Sequence, residues 1–233
     1  MKAALLNDII EWDVNNWSQA LKIWQPAIDK LPRTAKVLAI GERNGGLTLW
    51  LALQGFTVLC TDRNGVTENA KMLHAKYGVT TNISYANLDI VNDTPSTAQY
   101  DLIIMKSVLG GLKEQYNKAE SRTRVARQKA INNIYTMLQP GGVLLTADNL
   151  QGSYLLKTFR ELKGKNRQWY YFNMQELKTL FIHFSRTDVY TFGIIPTRFS
   201  KPLLNRLAYA LNKILKRFFP QGSSYISVTI ASK

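Results

Sequence analysis

Residues 37–52 read VLAIGERNGGLTLWLA, and the fold turns on how that stretch divides. Val37 to Ile40 is a short apolar run suited to a fully buried parallel strand, and Leu47 to Leu53 continues as an apolar helical segment. Gly41, Gly45 and Gly46 lie between them. Lacking a Cβ, glycine takes positive φ and lets the backbone approach a ligand closely, while the helix start offers free N–H groups. Strand, glycine turn and helix in that order hold nucleotide-like ligands. The same residues also fit a plain helix start in which glycine only tightens the connection.

Val58 to Thr61 forms a second apolar strand ending at Asp62, 21 positions after Gly41. A carboxylate there is placed to accept hydrogen bonds from both hydroxyls of a ribose, or to cap the helix expected over Asn64 to Tyr77. Ile83–Ala86, Leu102–Met105 and Val143–Ala147 read as the next three strands. Asp89 and Ile90 follow the third, Tyr100 and Asp101 lead into the fourth, and Leu138-Gln-Pro-Gly-Gly142 turns into the fifth. Val189–Phe192 and Tyr225–Ile230 read as a closing pair. Strands alternating with helical segments give an α/β chain with a mostly parallel sheet, whose ligands sit at the carboxyl ends of the strands where the order reverses.

In this order and spacing, the Gly41-centred turn, Asp62, Asp89-Ile90, the Tyr100-Asp101 strand start and Leu138-Gln-Pro-Gly-Gly resemble a class I S-adenosylmethionine-dependent methyltransferase over roughly residues 35–150. A nicotinamide fingerprint has no counterpart of the last pieces and wants glycine where Arg43 stands. The resemblance implies a Rossmann-like, doubly wound, mostly parallel seven-stranded sheet with an antiparallel last strand, in a single domain over residues 1–233. It implies S-adenosylmethionine as cofactor, facing Gly41, Gly45 and the backbone around Glu42. Asp62 would bind the ribose hydroxyls, Asp89 the adenine amino group, and Ile90 would lie beside the ring. Met105 and Lys106 would line the cavity where cofactor and acceptor meet, and a leading helical segment over residues 1–34 would close over the cofactor with Trp17 as its cover.

Local chemistry offers plainer readings beside these. Asp89 also reads as a turn-former, Ile90 as a core residue, and the stripe of Trp12, Trp17, Leu21 and Trp24 as core packing. Two positions depart from the commonest family pattern: Ala39 stands where an acidic residue often precedes the first glycine, and Arg43 puts a cation at the rim of the turn.

Methyl transfer is an in-line displacement, so a site must chiefly align the acceptor and exclude water. An amine or enolate acceptor needs little more, whereas a hydroxyl needs its proton removed. Asp148 follows the fifth strand and Lys106 the fourth, which makes Asp148 the expected general base and Lys106 the residue that positions it. His74 and His183 lie away from the strand ends and read as structural. No His/Cys/Asp cluster has zinc spacing, so no metal is expected.

The chain has 233 residues, 45% hydrophobic and 11% aromatic, which suits a globular core. Cys60 is its single cysteine, inside an apolar strand, and reads as a buried thiol in a reducing compartment. The first residues carry no signal-peptide pattern, and no apolar run approaches the ~20 residues of a spanning helix. A cytoplasmic protein is expected, peripheral at most to the inner face of the membrane.

Charge is the other unusual feature. The net charge is +14, no acidic residue follows Asp188, and Arg198, Lys201, Arg206, Lys213, Lys216, Arg217 and Lys233 supply seven of the positive charges. Over residues 200–220 a basic amphipathic helix is inserted between the last two strands, Leu203, Leu204, Leu207, Leu211, Ile214 and Leu215 falling at helical spacing. Three partners suit it: its own domain, an anionic membrane surface, or nucleic acid. A looser likeness, in the WSQALKIW lead, the GGLTLWLA turn and the late basic helix, is to enzymes that modify surface polysaccharides or lipid-linked intermediates. It implies a small-molecule or lipid-linked glycan acceptor. The alternative is a catalytically silent protein of the same fold that works through its basic helix.

Overall fold

The computed structural model describes residues 1–95, 97, 99–114, 124–162 and 169–233. Seven strands form one sheet in the order β3-β2-β1-β4-β5-β7-β6. They are β1 (Val37–Ile40), β2 (Val58–Asp62), β3 (Ile83–Asn87), β4 (Tyr100–Lys106), β5 (Leu138–Asn149), β6 (Arg186–Phe192) and β7 (Ile226–Ser232). β1 pairs in parallel with β2 on one side and β4 on the other, Ile40 lying opposite both Thr61 and Met105. The chain therefore reverses direction across the sheet at β1, which opens a crevice at the carboxyl ends of β1 and β4. β7 runs antiparallel to both β5 and β6, as the resemblance implies.

Period-two alternation sends successive side chains of the central strands to opposite faces. Val37 and Ala39 of β1 with Leu102 and Ile104 of β4 join one core, built against Ile9, Trp17, Trp24 and Leu49. Leu38 and Ile40 with Ile103 and Met105 join the other, against Ile131, Ile134 and Phe172. Both faces are covered by helices, so the centres of the parallel strands β1 and β4 are apolar on both sides.

The first core is closed by α1 (Ala3–Ile10), α2 (Val14–Trp17), α3 (Gln19–Ile28) and α4 (Gly46–Ala52). A Cβ on Gly46 would meet the carbonyl oxygen of Ile9 at 2.2 Å, so this glycine is what lets the α1 backbone lie directly on the start of α4. An ion pair of Lys76 with Asp8 at 2.9 Å also ties α1 down. Beyond β2, α5 (Glu68–Lys76) begins later than the sequence suggests, because Gly65 takes φ +86° and Thr67 is the cap, its side chain accepting from Ala70 N–H. The second core is closed by α6 (Arg124–Met137) and α8 (Met174–Leu180), and α7 (Tyr154–Leu162) follows β5. Cys60 is buried and free, its thiol pushed up to about 12 by burial and by Glu42.

Between β6 and β7 lies α9 (Pro202–Leu215). Only Ala208 and Asn212 of this helix are buried. The Asn212 amide accepts from the N–H groups of Ile194 and Ile195 and donates to the Ile195 carbonyl and to Asn16. Of the three partners that suit this helix, its own domain holds it through a polar seam, while most of its leucines stay outside that contact. Among the described residues no helix is long and apolar enough to cross a membrane.

Candidate active site

A cavity of about 880 Å³ opens at the carboxyl ends of the strands, running from Gly41 and Asp62 to Trp169 and Tyr225. Its first half is built on the β1–α4 turn. Gly41 and Gly45 take φ +70° and +73°, and a Cβ on either would sit 2.5 Å from Val108 or His74 respectively. Glu42 bridges the turn, its N–H donating to Thr61 O at 2.9 Å and its carboxylate accepting from Thr48 N–H at 2.9 Å. A carboxylate on the first turn of a helix meets unpaired N–H groups and the positive end of the dipole. Glu42 thus supplies the orienting carboxylate that is missing at Ala39, and burial raises its carboxyl above the ordinary range.

Asp62, at the end of β2, lines the cavity with one oxygen accepting from Asn64 N–H at 3.0 Å. Asp89 lines it too while accepting from Val91 N–H, Asn92 N–H and the Asn92 amide. It is therefore both a turn-former and a wall residue. Ile90 is buried in the second core and borders the cavity at the same place. Arg43 is exposed on the rim, and its carbonyl ties the turn to Thr67.

At the ends of β4 and β5 the structure separates residues that the sequence puts together. Lys106 and Asn149 line the cavity, whereas Met105 and Asp148 do not. Alternation explains this: Met105, one residue before Lys106, packs fully buried in the second core. The Asp148 carboxylate is 1% exposed, accepts from Leu109 N–H at 3.0 Å and Thr146 Oγ at 2.7 Å, and is pushed up to about 7 by burial. Its oxygens fix the turn after β4, so it does not reach an acceptor as expected.

Trp17 also lies away from its expected place. It is fully buried in the first core, and the residues of the lead that border the cavity are Glu11, Trp12 and Asp13. Glu11 and Asp13 adopt φ +71° and +48°, which breaks the helical run between α1 and α2 and brings Trp12 to the cavity while its ring still packs edge-on to Trp17 at 6.3 Å. The Lys106 ammonium lies 3.6 Å over the Trp12 ring, donates to Ile10 O at 2.9 Å, and stands 3.9 Å from Glu11 Oε1. Burial pushes this amine below the usual lysine range, against the pull of Glu11 and Glu42. The other Glu11 oxygen accepts from the Asn44 amide at 2.6 Å. Glu11 therefore spans the glycine turn and the end of β4, where the two halves of the cavity meet.

The second half has aromatic walls and basic side chains. Trp169 packs on Gly110 and Gly111, and Arg160 lies 3.9 Å over the Tyr171 ring while donating to the carbonyls of Leu150 and Gln151. Tyr225 donates to Asp13 and accepts from Asn16 at 2.7 Å, and Asp13 also accepts from Thr197 N–H at 3.1 Å. Burial and the neighbouring Asp13 raise the Tyr225 hydroxyl, keeping it protonated. Arg198 stands exposed at the margin. Sequence reasoning missed Glu11, Trp12, Asp13, Trp169 and Tyr225, which reach the cavity through long-range docking; only the aromatic density of the lead was a signal for any of them. No group of three or more His, Cys, Asp or Glu able to hold a metal occurs among the described residues.

A family model described as a methyltransferase domain matches residues 17–189. No curated protein matches the chain. Phosphoethanolamine N-methyltransferase 2 of Haemonchus contortus, solved with phosphomonomethylethanolamine and S-adenosylhomocysteine, is 18% identical and superposes with a TM-score of 0.64 over 93% of this chain and 52% of its own. The N-methyltransferase NodS of Bradyrhizobium japonicum, solved with S-adenosylhomocysteine, is 15% identical, with a TM-score of 0.57 over 93% of this chain and 84% of its own. These similarities show the fold, and the chain spans about half the length of the first structure. With the family model covering residues 17–189, the chain belongs to the methyltransferase domain family, among the class I S-adenosylmethionine-dependent methyltransferases that its Gly41 turn and Pro-Gly-Gly strand resemble in sequence.

Proposed function

We propose that the chain transfers a methyl group from S-adenosylmethionine to a hydroxyl of a small-molecule or lipid-linked glycan acceptor. The observation that carries this is the continuity of the cavity, with a glycine and carboxylate half joined at Glu11 and Lys106 to an aromatic and basic half. The first half fits the cofactor: Gly41 and Gly45 take positive φ in a turn that lines the cavity, and Asp62 faces the cavity with acceptor capacity for ribose hydroxyls. When bound, S-adenosylmethionine supplies an electrophilic methyl group on a sulfonium.

The chain's residues would then orient the acceptor and move one proton. Trp12, Trp169 and Tyr171 offer flat apolar faces to a sugar ring, and Ser107 and Asn149, 3.3 Å apart at the strand ends, offer hydrogen bonds to its hydroxyls. Glu11 is the base that takes the hydroxyl proton, and Lys106 positions it. This reading replaces Asp148, whose oxygens are committed to backbone and Thr146.

The test is label transfer from S-adenosylmethionine carrying a tritiated methyl group to a polyprenyl-linked glycan and to the same glycan freed by mild acid. An ether-linked, base-stable label in either product supports the hydroxyl reading. Label confined to amine acceptors, or no transfer to either glycan, would count against it.

A further inference from the structure

The leucine face of α9 has no cover. Leu203 is 66% exposed, Leu207 52% and Ile214 56%, and Phe218 in the turn that follows the helix 78%. Leu211 and Leu204 are exposed as well, so the uncovered positions recur every three to four residues along one side of the helix. Attachment to the domain runs instead through Ala208 and Asn212. Arg206, Lys213 and Arg217 share a further face, and they too are exposed. A second apolar surface lies on α7, where Tyr154, Leu155 and Leu162 are each at least 80% exposed. Leu156, Phe159 and Arg160 of that helix line the cavity, as do Pro196 and Arg198 just before α9. α7 therefore borders the acceptor half, and α9 follows directly on a segment that does.

Contiguous exposed apolar side chains of this extent mark an interaction surface. We propose that the leucine face of α9, together with the exposed end of α7, seats in the headgroup boundary of an anionic lipid bilayer, so that the acceptor half of the cavity opens at the lipid surface. The proposal deepens, and rests on, the reading of that half as the site of a lipid-linked acceptor. Charge selects the occupant. From Val189 to Lys233 the chain carries seven basic residues and no acidic one, which complements anionic headgroups. A second copy docked leucine to leucine would bring Arg206, Lys213 and Arg217 against their equivalents, and like charges there oppose pairing. An apolar arc flanked by lysine and arginine is the form of a helix that lies in the interface plane.

The experiment is flotation of the full chain with vesicles of phosphatidylcholine alone and with phosphatidylglycerol added. The parent protein is expected to float with the anionic vesicles and far less with the neutral ones. L207E/L211E, both changes being on exposed positions, is expected to abolish flotation at every salt concentration. K213E/R217E should weaken it by on the order of tenfold or more, since each basic residue near an anionic surface is worth about fivefold. S-adenosylmethionine titration on the same variants separates this proposal from the methyltransferase reading, because cofactor binding should be unchanged in both.

No flotation with either composition would overturn the proposal, as would flotation that L207E/L211E leaves intact. A concentration-dependent dimer in sedimentation, dispersed by L207E/L211E in a protein that ignores vesicles, would assign the face to self-association instead. Salt-sensitive binding to nucleic acid without vesicle binding would also overturn it.

Discussion

His74 Nε2 lies 2.9 Å from the carbonyl oxygen of Gly45. A carbonyl only accepts, so Nε2 carries the proton, and Nδ1 at 2.9 Å from Tyr85 is left to accept from that hydroxyl. Burial holds the ring below the ordinary imidazole range, in keeping with the neutral form. The imidazole of α5 thus clamps the peptide on which α4 begins.

Gly45→Ala would place a Cβ 2.5 Å from that same Nε2 at φ +73°. It is expected to lower stability by about 1–3 kcal/mol through strain at a special φ and forced repacking. His74→Ala removes the clash and leaves the φ strain, so the double variant should be more stable than the sum of the single losses by roughly 0.5–3 kcal/mol. Urea denaturation of all four proteins measures the coupling. Strict additivity would mean that His74 does not hold the turn.

Asp148 gives a signed pH dependence. Its carboxyl is raised to about 7 in the folded chain from an ordinary value of about 3.8. The folded state therefore holds the proton that the unfolded state has released. This contribution to stability is fully present below about pH 4 and is lost as pH rises through about 7, up to roughly 4 kcal/mol in all at 1.36 kcal/mol per unit. Asp148→Asn should remove this falling component. Its unfolding free energy relative to the parent is expected to rise between pH 4 and 7, and a constant difference would refute the assignment.

Glu11→Gln keeps an oxygen to accept from the Asn44 amide but cannot take a proton. Its kcat is expected to fall by roughly 10²–10⁴-fold, the usual contribution of a positioned base, with the dissociation constant of S-adenosylmethionine little changed. Steady-state kinetics on the acceptor found by label transfer, beside a cofactor titration, reads both quantities. An unchanged kcat would remove Glu11 from proton transfer.

Much of the half of the cavity proposed to hold the cofactor is legible in the sequence because it is local. β1, the Gly41 turn, α4, β2 and Asp62 follow one another within residues 37–62, and buried strands and positive-φ glycines leave marks in composition. Residues placed by distant docking left none. Glu11 and Asp13 reach the cavity through positive φ on non-glycine residues and through α1 resting on Gly46. Helical spacing therefore assigned Trp12 and Trp17 to one stripe, although only Trp12 faces the cavity. Asp148 departs from expectation for a related reason: its place at the end of β5 is visible in the sequence, but the N–H of Leu109 that claims its oxygen is 39 residues away in the chain. The amphipathic pattern of α9 was plain, while the Asn212 seam that leaves its leucines outside depends on Ile194, Ile195 and Asn16.

Isothermal titration of the intact chain with S-adenosylmethionine asks whether the Gly41 and Asp62 half of the cavity binds that cofactor. Micromolar binding is expected, weakened at least about tenfold in Asp62→Ala by the loss of charge-assisted hydrogen bonds worth roughly 1.5–3 kcal/mol each, with thermal unfolding of the variant confirming that it is folded. No binding by the intact chain, or full affinity in Asp62→Ala, would show that Gly41 and Asp62 do not hold the cofactor.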